Sequence, residues 1–249
     1  MSLTAEEISI NWSKLLEIIE TEFSGDRREK LLNLYNKYED RISIAPASSV
    51  DHYHNAFIGG YVDHVLRVIR NAKEVYKLWT TSGADMSGYT KEELVFVALN
   101  HDLGKIGFPG DGNEVYIHND SEWHRKNQGK IFKVNPNNPF ALVNDLSIWL
   151  LQHHDIKISF NEMISIKCTD GLYDESNKAY FISRMKESKL RINLPYVMHQ
   201  ADLMAARIEY EMWVKDEPTL SPPKQKPSKL SEAASKVDAS KIFGELFGD

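Results

Sequence analysis

The sequence predicts a mainly α-helical fold. Apolar residues recur at helical spacing in seven stretches, few segments alternate with a period of two, and two of the stretches open on capping signals. The first helix is expected over about 4–23, where Thr4 is followed three residues later by Glu7, the spacing of a reciprocal cap. A second covers about 27–39. The segment ISIAPASSVDHYHNAFIGG is irregular, because Pro46 and the pair Gly59-Gly60 break any period. The next helix, 60–79, sets Val65, Val68, Ile69, Ala72, Val75, Tyr76 and Trp79 on one stripe. Another begins at Thr90, an N-cap with Glu93 three residues on, and closes near Gly104.

Residues 106–138 break the helical pattern. They hold glycine, asparagine, proline and aromatic residues with little period, and so long an irregular stretch inside a domain reads as a functional lid or binding loop. Helices resume at about 139–154 and 159–167. A polar, loop-like LYDESNKAY follows, and a last core helix covers about 195–214. The expected organisation is therefore N-terminal helices in 1–44 packing on a core of 45–215, with the insertion 106–138 inside that core, and a tail from 216 to 249. The tail segment EPTLSPPKQKPSKLSEAASK is rich in proline, lysine and serine and is expected to be disordered. Its end, KIFGELFGD, clusters Ile242, Phe243, Leu246 and Phe247. It reads equally as a short motif by which 241–249 docks a protein partner and as a helix that folds back on the domain.

Composition narrows the function classes. Of the 249 residues 42% are hydrophobic, enough for a substantial core, and the 27% that are charged are ordinary for a soluble protein. A net charge of −6 argues against a dedicated nucleic-acid partner. No apolar stretch approaches a membrane span, no signal-peptide pattern is present, and the single cysteine, Cys168, permits neither an intramolecular disulfide nor a cysteine-based zinc site. A reducing, cytoplasmic setting is expected.

The residues that carry chemistry begin with His101-Asp102, inside VFVALNHDLGKIG. The run Leu94, Val95, Val97, Ala98 calls for burial, and burying an unpaired carboxylate beside an imidazole costs several kcal/mol. A metal ion removes that cost, since carboxylate and neutral imidazole are both ligands. His64, in GGYVDHVLRV, stands at the edge of an apolar stripe, where a lone histidine is more often a packed core residue. Asp202, in YVMHQADLMAARIE, is flanked by Met198, Ala201, Ala205 and Ala206 and needs a partner, either a metal or Arg207. Lys105, about one turn past Asp102, reads from its position as a solvated lysine at a helix end, favoured by the helix dipole. His199, three residues before Asp202, shares its helix face and can support it. His118 and His124, in the insertion, are candidates for contact with a ligand or a second ion. His153-His154 is expected to be an exposed helix terminus, His52 and His54 to structure their loop by hydrogen bonding, and Asp170-Gly171 to form a turn.

The ordered set His64, His101-Asp102, Asp202 resembles the ligand order of the HD-domain phosphohydrolase superfamily. APASSVDHYHNAFIGGYVDH looks like the approach to that family's first histidine, HDLGK like its second motif, and MHQADLMAARIE like its closing aspartate helix. The resemblance covers roughly residues 45–212 and is similar to a phage and bacterial subgroup with a Trp/Asn/Pro-rich insertion after the HD motif. It implies an HD-domain helical bundle with one divalent metal ion (manganese, iron, cobalt, nickel, zinc or magnesium) held by His64, His101, Asp102 and Asp202. It also implies that Asp102 orients a water and that Lys105 lies at the substrate phosphate. The expected activity is hydrolysis of a phosphate ester or anhydride of a nucleotide or deoxynucleotide. The alternatives are a nucleotide-sensing protein that docks a replication partner through its tail, and an HD-type nuclease.

Overall fold

A computed structural model describes residues 2–50, 53–183 and 185–216; His52 and the tail motif 241–249 lie outside the described residues. The chain divides into a unit Met1–Trp213 and a unit Val214–Asp249, of which only residues 214–216 are described. The described chain is mainly helical. Its α-helices are α1 (Ala5–Glu22), α2 (Gly25–Lys37), α3 (Glu39–Ile42), α4 (Gly60–Thr81), α5 (Lys91–Asn100), α6 (Glu122–Gln128), α7 (Val143–His153), α8 (Phe160–Lys167), α9 (Lys178–Phe181) and α10 (Leu194–Asp216). Among the described residues no helix is long and apolar enough to cross a membrane.

Local chemistry accounts for the helix starts. Thr4 and Thr90 form reciprocal capping boxes with Glu7 and Glu93, as their spacing predicts, and Ser159 does the same with Glu162 ahead of α8. The start of α4 depends on both glycines before it. Gly59 sits in the left-handed region at φ 83°, and a Cβ on Gly60 would stand 2.1 Å from the Asn55 carbonyl oxygen, so the irregular loop can press against the helix start only with glycine there. The expected helix to Gly104 ends earlier. α5 stops at Asn100, and a tight 3₁₀ turn, Leu103–Ile106, carries the chain away.

The insertion is more ordered than its composition suggests. Strands β1 (Tyr116–His118) and β2 (Phe132–Val134) pair antiparallel, with Tyr116 opposite Val134 and His118 opposite Phe132, and α6 fills the connection. Strands of three residues are too short to leave a period-two signal, and the hairpin is held largely by asparagine side chains. Asn135 and Asn138 both donate to the Glu114 carbonyl, and Asn119 to that of Lys130.

One apolar cluster gathers the inner faces of α1, α2, α4, α5, α7 and α10, with Leu15, Leu31, Tyr35, Val65, Phe96, Leu150 and Val197 fully buried. α5, buried along nearly its whole length, lies between α4 and α8, while α7 packs on the 3₁₀ turn. One charged pair crosses this apolar surround. The fully buried Glu162 takes a two-pronged hydrogen bond from Arg27 (Nη1 to Oε1 2.6 Å, Nη2 to Oε2 2.9 Å), and the guanidinium lies 4.4 Å over the Phe96 ring. Removing the arginine leaves a buried carboxylate without its cation. Arg27→Met is expected to lower stability by about 3–5 kcal/mol in urea denaturation; a loss under about 1 kcal/mol would mean that the pair contributes little.

Candidate metal centre

Four side chains from three helical elements converge at the inner end of α5. His64 projects from the first turns of α4, His101 and Asp102 follow the last residue of α5, and Asp202 stands on α10. His64 Nε2 lies 3.1 Å from Asp202 Oδ1 and 3.5 Å from Asp102 Oδ2; His101 Nε2 lies 3.6 Å and 3.5 Å from the same two atoms. Both imidazoles are buried, and neither Nε2 atom has a hydrogen-bond partner.

The far nitrogen of each ring explains the orientation. His101 Nδ1 is 2.9 Å from the Ala98 carbonyl, an acceptor only, so Nδ1 carries the proton and the Nε2 lone pair faces the centre. His64 Nδ1–H donates to both oxygens of the Glu209 carboxylate at 3.1 Å, which turns its Nε2 toward the same centre. Two ring nitrogens thus face two carboxylates, an arrangement that needs positive charge between them, as protons on the rings or as a metal ion. Donors about 2.1 Å from a tetrahedral ion lie about 3.4 Å apart, and the four N···O separations here run from 3.1 to 3.6 Å. His64, His101 and Asp202 form a cluster able to hold a metal ion, and Asp102 Oδ2 approaches the same two nitrogens.

The electrostatics express the same demand. Burial disfavours a charged His64, yet the charge of Glu209 and the proximity of Asp202 outweigh it and raise the imidazole to about 10. His101 is also raised, against burial, by Asp102 and Asp202. Asp202 is held well below the usual carboxylate range: burial works against its charge, and the two histidines win.

Further contacts position the ligands. Ser147 on α7 accepts from the Gly104 N–H at 2.7 Å, and its hydroxyl lies 3.0 Å from the His101 carbonyl, pinning the turn that presents the pair. Glu209, fully buried two turns after Asp202, holds His64 and also accepts from Arg67 Nε at 3.0 Å. Arg67 in turn bridges to Asp63, which accepts from Asn55. The chain Asn55–Asp63–Arg67–Glu209–His64 ties the irregular loop, α4 and α10 together behind the centre. Sequence reasoning passed over Glu209, though its place on the face of Ala201 and Ala205 marks it as a buried carboxylate in need of a partner.

Of the other residues singled out, Lys105 is buried rather than solvated. Its Nζ lies 2.5 Å from Asp102 Oδ2 and 3.4 Å from His54 Nε2. His54 does more than structure its loop. Its ring sits 5.0 Å from that of His64, and burial together with the Lys105 charge lowers it to about 3, so it is neutral and accepts from the lysine. Arg207 is not the partner of Asp202; it is exposed and pairs with Glu211 at 3.2 Å. His199 Nδ1–H donates to the Thr169 carbonyl at 2.9 Å, and its ring fills the space where a Cβ on Gly171 would stand, 2.2 Å away. Only glycine therefore lets the Thr169–Gly171 turn close on α10. That turn places Asp170 on the wall beside Asp202, where burial, then Asp102 and Asp202, raise its carboxyl to about 6.

Two cavities flank the centre. One, of about 600 Å³, is lined by His54, Asp170, His199 and Asp202. The other, about 790 Å³, lies between α2–α3 and the insertion and is lined by Lys105, Tyr116, His118 and Phe132. His118 thus reaches a cavity wall. His124 is not brought to either cavity: it packs on Trp123 within α6. His153 is exposed at the end of α7, stacked on Trp149, and His154 meets the Tyr38 hydroxyl; both are away from the centre.

No family model, curated protein or solved structure matches the chain.

Supporting contacts of this kind typically carry a tenfold to hundredfold share of metal affinity. Glu209→Gln, which keeps a hydrogen-bonding group but removes the charge behind His64, is expected to weaken manganese binding about 10-fold by calorimetry. Unchanged affinity would show that Glu209 serves packing alone.

Proposed function

We propose that the chain is a metal-dependent phosphohydrolase of the HD-domain superfamily that hydrolyses a phosphate ester or anhydride of a nucleotide or deoxynucleotide. The observation that carries this reading is the pair of buried, partnerless Nε2 atoms of His64 and His101 facing Asp102 and Asp202, with the Lys105 ammonium beside Asp102. Two imidazoles and two carboxylates suit a first-row divalent ion or magnesium, and such an ion supplies Lewis acidity at a phosphoryl oxygen and an acidified water.

The chain's own residues supply the rest. His64, His101, Asp102 and Asp202 would hold the ion, and the Nδ1 contacts to Glu209 and Ala98 fix both rings before it binds, so binding requires little reorganisation. Burial disfavours charge on Lys105, but Asp102 outweighs this and raises the ammonium, which stays protonated at neutral pH. A fixed cation in a largely dry site offsets the charge that grows on phosphoryl oxygens in the transition state. His54 and Asp102 hold that ammonium from two sides, restricting it to the space between the two cavities. The second oxygen of Asp102 is then available to orient the attacking water.

Two substitutions separate holding the metal from chemistry. Lys105→Met is expected to retain bound metal, measured by elemental analysis, while kcat on a responsive nucleotide falls about 10²- to 10³-fold. Asp102→Ala is expected to lose both metal and activity. An Asp102→Ala protein that kept its metal and its phosphatase activity across a nucleotide panel would rule out this mechanism.

A further inference from the structure

The two cavities, one reaching Asp202 and the other reaching Lys105, differ in their walls. The larger is mostly apolar and is built by the insertion. Residues opposite one another in β1 and β2 share a face, so Tyr116, His118 and Phe132 lie on the same side of the hairpin, and all three line this cavity opposite Ile58 and Tyr38. Its volume, about 790 Å³, falls within the range of about 300–1,000 Å³ typical of small-molecule sites. Flat aromatic surfaces in an apolar cleft suit a planar heterocycle. At one point the wall is Lys105, which also stands against the candidate ligand Asp102.

The cations around the two cavities set how many phosphates fit. The basic lysine and arginine side chains on their walls are Lys37, Arg41, Lys105 and Arg207. Arg41 is committed to the architecture. It donates to the carbonyls of Ile106, Phe108 and Gly110 and lies 3.5 Å from Glu114, clamping the insertion onto α3. Arg207 is tied to Glu211 and lies over the Tyr210 ring. Lys37 is exposed and lies over the ring of Tyr38. Among the described residues, Lys105 alone of these four is both buried and adjacent to the centre. Around it stand carboxylates: Asp40 and Asp111 on the larger cavity, Asp170 on the smaller. With Asp102 and Asp202 counted, one buried ammonium and one divalent ion leave a net charge of about +1, which suits one phosphate group better than several. A chain of three would set further anionic groups against carboxylates without a cation to answer them.

We propose that the substrate is a nucleoside monophosphate, with the nucleoside in the cavity under the β1–β2 hairpin and its one phosphate at Lys105. This rests on the phosphohydrolase reading above and narrows it. In the reaction, water adds to phosphorus and the P–O ester bond breaks; the nucleoside oxygen leaves with a proton, and inorganic phosphate is released.

Two measurements on the full-length protein test this. In the first, manganese-loaded enzyme is assayed against ribo- and deoxynucleoside 5′-mono-, di- and triphosphates, with products separated by chromatography. The expected result is a kcat/KM for a monophosphate at least about 10-fold above that for its triphosphate, and a KM for that monophosphate raised about 10-fold by Phe132→Ala with kcat changed less than about 2-fold. Ile58→Ala, at an exposed position that leaves folding unaffected, is expected to raise KM in the same direction. Preferential turnover of triphosphates, or an unchanged KM in both variants, overturns the proposal and leaves the phosphohydrolase reading standing. In the second, calorimetry follows binding of the same nucleoside monophosphates to chelator-treated protein. Binding that weakens in Phe132→Ala and Ile58→Ala supports the cavity assignment even if no substrate turns over, a result that would remove the phosphohydrolase reading alone. Binding equal in wild type and variants, or absent, overturns the assignment.

Discussion

Two carboxylates and two imidazoles, brought together where water is largely excluded, form the constraint on which the rest of this molecule turns. Asp102, buried, and Asp202, on a cavity wall, attract positive charge, and the Nε2 atoms of His64 and His101 face the same space. Such a cluster is costly to assemble from separate groups. The surrounding chain is organised to hold it: α5 delivers the His-Asp pair at its end, α4 and α10 supply the other two groups, and α7 locks the turn through Ser147. Neither residue of that turn can slide along a helix, because Lys105 N–H bonds back to the Asp102 carbonyl and Gly104 N–H to Ser147.

The second layer shows how local chemistry becomes geometry. The proton on His101 Nδ1 is assigned by a backbone carbonyl that can only accept, and that on His64 by a carboxylate buried for the purpose. The Arg67 guanidinium donates to Glu209, and Asp63 and Asn55 pass the contact on to the loop before α4. The candidate metal centre adjoins the folding core: α10 buries Met198, Ala201 and Ala205 with one side of the helix and presents Asp202 at its edge.

Much of this was legible in the sequence. Helices α1, α2, α4, α5, α7, α8 and α10 followed from apolar spacing, with the capping boxes at Thr4/Glu7 and Thr90/Glu93 forming as their spacing predicts, whereas the short α3, α6 and α9 did not. His64, His101, Asp102 and Asp202 were visible as polar groups beside apolar neighbours, Lys105 was singled out only through the family resemblance, and the structure gathers all five. What sequence reasoning missed depends on contacts far apart in the chain. Glu209 and His64 are 145 residues apart, and no local pattern records that they touch. His54 read as a loop residue because its meaning comes from Lys105 across the cavity. The hairpin in the insertion was hidden because its three-residue strands are held by asparagine side chains rather than by alternating apolar residues.

The insertion and the centre divide the labour between them, with Arg41 as the joint: its contacts to three carbonyls seat the insertion against α3 and so create the cavity that opens on Lys105. Everything proposed about chemistry depends on a cation at the centre. The most direct measurement is anomalous diffraction at the metal absorption edge from crystals soaked in manganese. A single strong peak is expected within about 2.0–2.3 Å of His64 Nε2, His101 Nε2, Asp202 Oδ1 and a carboxylate oxygen of Asp102. Manganese bound only elsewhere, or a peak-free centre in crystals soaked well above millimolar concentration, would show instead that the cluster is a network of protonated histidines and carboxylates.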